Sequence, residues 1–242
     1  MYGEKSMALL LEESVKFGVQ GIFRGTGNPS EPWVPDIHDA VRLVRLVDNL
    51  GFDSMWVGDH VAFAVPILDS ITQLAWAAAQ SDRLAFGTSI YLLPLRHPTP
   101  VAKQIAALDH LCGGRFVFGV GVGGEFPGEF EACGVDVSER GRLLDEGIGV
   151  LKKLWQPGMV SHKGDLFSFS EIELLPAPLQ MGGPAIWCGG RSEAALRRAG
   201  QLCDGYISYV VTPKMFQSSM DKILTAAESA GRHIQNYGTG HL

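Results

Sequence analysis

Short β-branched stretches alternate with helical patterns along most of the chain, and this alternation limits the fold more than any other feature. Successive strands separated by a helix pair in parallel, because the chain must cross back before running the same way again. Residues 15–20 read as a first strand. Asp36 then caps a helix whose apolar positions Ile37, Ala40, Val41, Val44 and Val47 recur at helical spacing, and Gly51 ends it. Residues 54–58 form a second strand, 71–80 an alanine-rich helix and 84–91 a third strand. Thr99 and Pro100 open the next helix, which turns Val101, Ile105, Leu108 and Cys112 to the core and stops at Gly113-Gly114. Residues 115–122 are a fourth strand. A long helix begins at Ser138, with Leu144, Ile148, Leu151 and Trp155 on one face. Strands at 185–188, 205–211 and 235–241 follow, with helices at 192–200 and 214–230 between them.

Residues 160–180 break the pattern. Their polar–apolar alternation and Pro176-Ala177-Pro178 predict a β-hairpin excursion, at about 157–183, within a single domain spanning 15–242. Residues 1–14 read as a leader. The expected fold is α/β, a TIM-type (β/α)8 barrel. Only seven strands are legible against the eight that close such a barrel. The last βα unit is therefore expected to be missing, through truncation or because a partner supplies it.

Composition removes several function classes. With 242 residues, 46% hydrophobic and 19% charged, the chain can bury a large core. A net charge of −6 argues against nucleic acid as a partner. No apolar run reaches the roughly 18 residues of a membrane span, and the start lacks the basic residues of a signal peptide. The four cysteines, Cys112, Cys133, Cys188 and Cys203, form no CxxC pair and match no zinc spacing. Reduced thiols in a cytoplasmic, metal-free protein are the expectation.

In a parallel barrel the chemistry sits where strands end and loops begin. The second strand ends in Gly58-Asp59-His60, a carboxylate next to an imidazole that can handle a proton near neutral pH. The third ends in Gly87-Thr88-Ser89-Ile90, whose small residues would let a flat ring approach the backbone. Arg96-His97-Pro98 follows, with His97 reading as a loop or helix-start residue. The fourth ends in Gly119-Val-Gly121-Val-Gly123-Gly124-Glu125, where glycines free backbone N–H groups and Glu125 is either an acid/base or a solvated loop carboxylate. No Rossmann unit surrounds these glycines, so the dinucleotide motif fits poorly. The fifth ends in Gly189-Gly190-Arg191-Ser192 at a helix start, where N–H groups, a hydroxyl and a guanidinium can converge on a phosphate.

Taken in order, residues 51–60, Gly87-Thr-Ser-Ile90, Arg96-His-Pro98 with Ala102-Lys-Gln104, residues 108–121, 140–155 and Ile186-Trp-Cys-Gly-Gly190 with Asp204-Gly205 resemble the bacterial luciferase-like superfamily. Its members are flavin- and deazaflavin-dependent oxidoreductases. The resemblance covers about residues 15–242 and implies a cofactor ring over the barrel mouth. It implies a non-proline cis peptide at Ser89–Ile90, and a phosphate held by Gly189, Gly190 and the strand-four glycines Gly121 and Gly123. It makes His60 a catalytic or ring-adjacent group. Asp59, Thr88, Ser89, Ile90, Arg191 and Ser192 complete the expected cofactor contacts, and His60 and Glu125 the expected catalytic pair. An extra glycine before Glu125 shifts that carboxylate relative to the family's catalytic glutamate. Tyr209-Val-Val-Thr212 lacks the lysine of sugar-phosphate-oxidising members, which argues against that substrate.

The implied activity is hydride transfer between a small organic substrate and the deazaflavin coenzyme F-420. One alternative is an FMN-dependent monooxygenase fed by a flavin reductase. Another is a non-catalytic flavin-binding protein with an incomplete barrel, and a third is a cofactor-free enzyme acting on a sugar phosphate. Apolar surface on an open barrel would favour a homodimer.

Overall fold

Parallel pairing follows directly from the βα alternation. The computed structural model describes residues 15–22, 36–234 and 237–242; the expected leader lies outside them. Strands β1 (Gly18–Gln20), β2 (Ser54–Val57), β3 (Ala85–Thr88), β4 (Phe116–Val120), β7 (Ile186–Gly189), β8 (Gly205–Ser208) and β9 (Gly238–His241) form one sheet in that order. Every neighbouring pair is parallel. Strands β5 (Val160–Lys163) and β6 (Ser168–Ile172) form the expected antiparallel hairpin beside the sheet.

Seven helices connect these strands: α1 (Ile37–Asn49), α2 (Ser70–Ala78), α3 (Pro98–Leu111), α4 (Pro127–Ala132), α5 (Arg140–Leu154), α6 (Glu193–Leu202) and α7 (Pro213–Ser229). Asp36 caps α1 as expected, accepting from the His38 N–H at 2.8 Å. Ala40, Val44 and Val47 are buried, whereas Ile37 is exposed in the first turn. The predicted core faces of α3 and α5 are buried throughout. Two expectations need correction. The cap of α3 is His97, whose ring accepts from the Thr99 N–H, and Pro98 is its first residue; the start lies two residues earlier because imidazole nitrogen serves as a cap acceptor. Helix α4 was not anticipated, since six residues are too few to show a helical period.

Two tryptophans show that the sheet curls. Trp56 on β2 and Trp187 on β7 have ring centroids 5.6 Å apart, although β3 and β4 lie between their strands. Around them on the concave side lie Val117, Ile207 and Ile90. Glycines make the space. A Cβ on Gly87 would lie 2.3 Å from the Trp56 ring carbons Cε3 and Cζ3, and one on Gly205 would lie 2.5 Å from Trp187 Nε1. Alternation of very large and absent side chains fills the tapering interior. The architecture is a parallel barrel with seven of its strands, its edges β1 and β9 being the positions an eighth strand would bridge.

The Trp56 ring has little freedom to shift, because its Nε1 donates to Ser54 Oγ at 2.8 Å and its other side meets Trp187. Gly87→Ala should therefore destabilise the protein by about 1–3 kcal/mol, as overpacking does. Urea unfolding followed by tryptophan fluorescence would measure it; an unchanged midpoint would show that the interior can relax.

Candidate active site

The C-terminal ends of the parallel strands lie at one end of the sheet, so residues far apart in sequence meet there. Just past β2, His60 faces a carboxylate, though a different one from that expected. Its Nδ1 lies 3.1 Å from Glu129 Oε2. Glu129, on α4, is 1% exposed. Its Oε1 accepts from the backbone N–H groups of Val61 and Ala62. A carboxylate held by N–H donors is an acceptor, so Nδ1 carries a proton toward Glu129 and Nε2 is the nitrogen turned away from it. The Phe63 ring stacks on His60 at 3.8 Å with an interplanar angle of 4°. Glu125 is exposed on the loop before α4. Sequence reasoning stopped four residues short of Glu129, whose only local signal was a second glutamate after a proline in the same loop.

Asp59 and Thr88 are both engaged by hydrogen bonds within the fold. Asp59 is 3% exposed, and both its oxygens are engaged. Oδ1 accepts from Ser70 Oγ and Arg96 Nη2, each at 3.0 Å; Oδ2 accepts from the Leu92 N–H at 2.9 Å and pairs with Arg96 Nη1. This buried fork ties the loops after β2 and β3 to the start of α2. Thr88 is fully buried, with its hydroxyl donating to the Gly119 carbonyl at 2.7 Å. In the fold their short polar side chains tie chain segments together.

The Ser89–Ile90 peptide is cis, as the family resemblance implied. Ile90 projects into space left by the strand-end glycines. A Cβ on Gly121 would fall within the Ile90 side chain, and one on Gly189 would lie 2.8 Å from Ile90 Cγ2. These glycines therefore seat Ile90. Gly123, at φ +60°, packs against Leu92. Gln20, at the end of β1, donates to Ser89 Oγ at 3.3 Å and was not singled out from the sequence.

At β7, Gly190 (φ +126°), Arg191 and Ser192 are exposed at the start of α6. Ser192 Oγ caps the Ala195 N–H at 3.2 Å, leaving the first amides of the helix facing outward. The Gly190 carbonyl accepts from Tyr206 Oη at 3.0 Å. In a trans peptide the following N–H points the opposite way, so Tyr206 orients the Arg191 amide. Glu193 is drawn off by an ion pair with Lys222 on α7. Among the described residues Arg191 makes no hydrogen bond or ion pair, so its guanidinium is available to an anion. Helix start, free cation and positive-φ glycine together fit a phosphate group. No group of three or more metal-binding side chains occurs among the described residues, and none of their helices is long and apolar enough to cross a membrane.

Glu129→Gln tests the tautomer. An amide NH2 facing Nδ1 would donate, so His60 should shift its proton to Nε2, visible in imidazole 15N chemical shifts. Stability should fall by about 1–3 kcal/mol as the charged acceptor is lost. An unchanged tautomer would separate Glu129 from His60.

The description of the luciferase-like monooxygenase family matches residues 15–240. The chain is 32% identical over 177 residues to limonene 1,2-monooxygenase of Rhodococcus erythropolis, covering 73% of this chain and 45% of that protein. It is 35% identical over 141 residues to FMNH(2)-dependent dimethylsulfone monooxygenase of Pseudomonas putida, covering 57% and 39%. The chain thus spans about half the length, or less, of these curated relatives. Among solved structures, monooxygenase RslO1 of Streptomyces bottropensis superposes with a TM-score of 0.81 at 26% identity, covering 94% of this chain and 70% of that one. An F-420-dependent secondary alcohol dehydrogenase shares the fold, with a TM-score of 0.78 at 21% identity, covering 93% and 67%. The match across nearly the whole described sheet, with the strand-end geometry above, places this chain in the luciferase-like monooxygenase family.

Proposed function

We propose that this chain is an oxidoreductase that transfers hydride between a deazaflavin cofactor and a small organic substrate. The observation that carries the reading is His60, whose Nδ1–H is fixed by buried Glu129 while Nε2 stays free to exchange a proton. The deazaflavin, when bound, supplies a ring carbon that accepts or gives the hydride. The chain does the rest. Arg191, the first amides of α6 and the Ser192 region hold the phosphate. Ser89 and Ile90, seated by Gly121 and Gly189, offer a backbone ledge to the ring. Glu129 orients His60, and Nε2 takes up the hydroxyl proton when an alcohol is oxidised, or returns it when a carbonyl is reduced. Asp59 and Arg96 hold the His60 loop in place.

A second reading is an FMN-dependent monooxygenase fed by a separate flavin reductase. It is favoured by the names of the two curated relatives, both monooxygenases. Both readings use the same cradle and the same imidazole.

Fluorescence titration with coenzyme F-420 and with FMN, side by side, tests the proposal. The deazaflavin should bind more tightly, and Arg191→Glu should weaken it at least about tenfold through charge repulsion. Tight binding of FMN alone would move the assignment to the monooxygenase. Binding of neither would overturn both readings, and an unchanged affinity in Arg191→Glu would remove that side chain from the site.

A further inference from the structure

Several described loops at this end of the sheet carry exposed apolar side chains. The segment after β2 exposes Val61 and Phe63, the segment after β4 exposes Phe126, and the segment after β8 exposes Tyr209 and Val210. Phe63 and Phe126 are each about 40% exposed, yet they meet edge to face with centroids 5.9 Å apart at 82°. That contact joins the β2 and β4 loops. On its other side the Phe63 ring stacks on His60. The imidazole assigned above to proton transfer is therefore part of an aromatic wall. Exposed apolar side chains gathered around a polar reactive group mark a binding surface, because apolar area left in water is unfavourable until a ligand covers it.

Charge narrows the occupant. Residues 58–69 contain no lysine or arginine, and neither do 121–129 or 209–212. Their charged side chains are carboxylates: Asp59 paired with Arg96, Asp69 capping α2, Glu129 at His60 and Glu125 in solvent. Among the described cations near these loops, Arg96 is spent on Asp59. Arg140 packs against Gly124 and donates to the Val137 carbonyl, while Arg191 belongs to the phosphate cradle. A sulfonate or carboxylate brought to the Phe63–Phe126 wall would face like charge and lose hydration without a basic partner on these loops.

We propose that this site selects an uncharged, apolar substrate, whose hydrocarbon body lies against Phe63 and Phe126 and whose one polar group reaches His60. This rests on the oxidoreductase reading above and deepens it. Phe63 and Phe126 are then specificity-determining residues. Phe63 also positions His60 by stacking, and Phe126 braces Phe63 from its edge.

Calorimetric titration with menthol and with camphorsulfonate tests it, because both are ten-carbon alicyclic molecules and only the second is anionic. Menthol should bind at least about tenfold more tightly. Phe126→Ala and Phe63→Ala should each weaken menthol by about tenfold, and Phe63→Leu, which keeps an apolar surface, should retain most of the affinity. Phe126→Lys should raise the affinity for camphorsulfonate. Circular dichroism on every variant separates loss of binding from loss of fold; should Phe63→Ala not fold, Phe126→Ala and Phe126→Lys decide. Camphorsulfonate binding as tightly as menthol, or menthol affinity unmoved in Phe126→Ala, overturns the proposal. Cofactor titrations on the same samples keep the two ideas distinct: failure to bind either flavin sinks the oxidoreductase reading, while a lost preference for menthol with the cofactor bound sinks only the substrate class.

Discussion

The meeting of Trp56 and Trp187 across two intervening strands is the contact on which the rest of the structure depends. A parallel sheet brings its strand ends together only if it curls, and it curls only if its concave side can be filled without voids. Two indoles supply the volume; Gly87 and Gly205 supply the room. With that curvature set, the ends of β2, β3, β4 and β7 converge, and each strand-end motif becomes one wall of a shared site. The same pairing of large and absent side chains recurs one level higher, where Gly121 and Gly189 admit Ile90. The interior is thus built in layers, and its uppermost layer is the Ser89–Ile90 ledge.

Above the ledge, two buried carboxylates divide the work. Asp59 is consumed by Arg96, Ser70 and the Leu92 amide, and ties three segments of chain. A charge so buried is tolerable only because its lone pairs are satisfied. Glu129 is equally buried but spends one oxygen on an imidazole. That difference separates a strut from a group that tunes chemistry. The Asp59-His60 dipeptide therefore sends its neighbouring side chains to opposite tasks, one inward to the scaffold and one toward the site.

Across the mouth, the segment proposed to hold a phosphate is organised by removal of competitors. Lys222 draws Glu193 aside, Ser192 satisfies an inner amide, and Tyr206 takes the Gly190 carbonyl. What remains facing outward is a set of donors and one cation. The opposite rim, with its phenylalanines and carboxylates, has the reverse character. The proposed reading thereby puts anion and hydrocarbon on different sides of one opening.

The sequence by itself determined the elements and their order. Helical periods, Asp36, the proline-led helix starts and the βα alternation are local signals, and each is governed by contacts within a few residues. They gave the parallel sheet, the hairpin excursion and the seven-strand count correctly. The strand-end motifs were legible for the same reason, because a parallel barrel places its loops predictably. Tertiary structure alone decided which side chains meet. Glu129 reaches His60 across 69 positions, Arg96 reaches Asp59 across 37, and Ile90 fills space left by Gly121 and Gly189. No local pattern encodes such pairs. They depend on strand order, sheet curvature and the course of a six-residue helix too short to announce itself, so the sequence pointed to Glu125, which the fold leaves in water, and not to Glu129, which it buries.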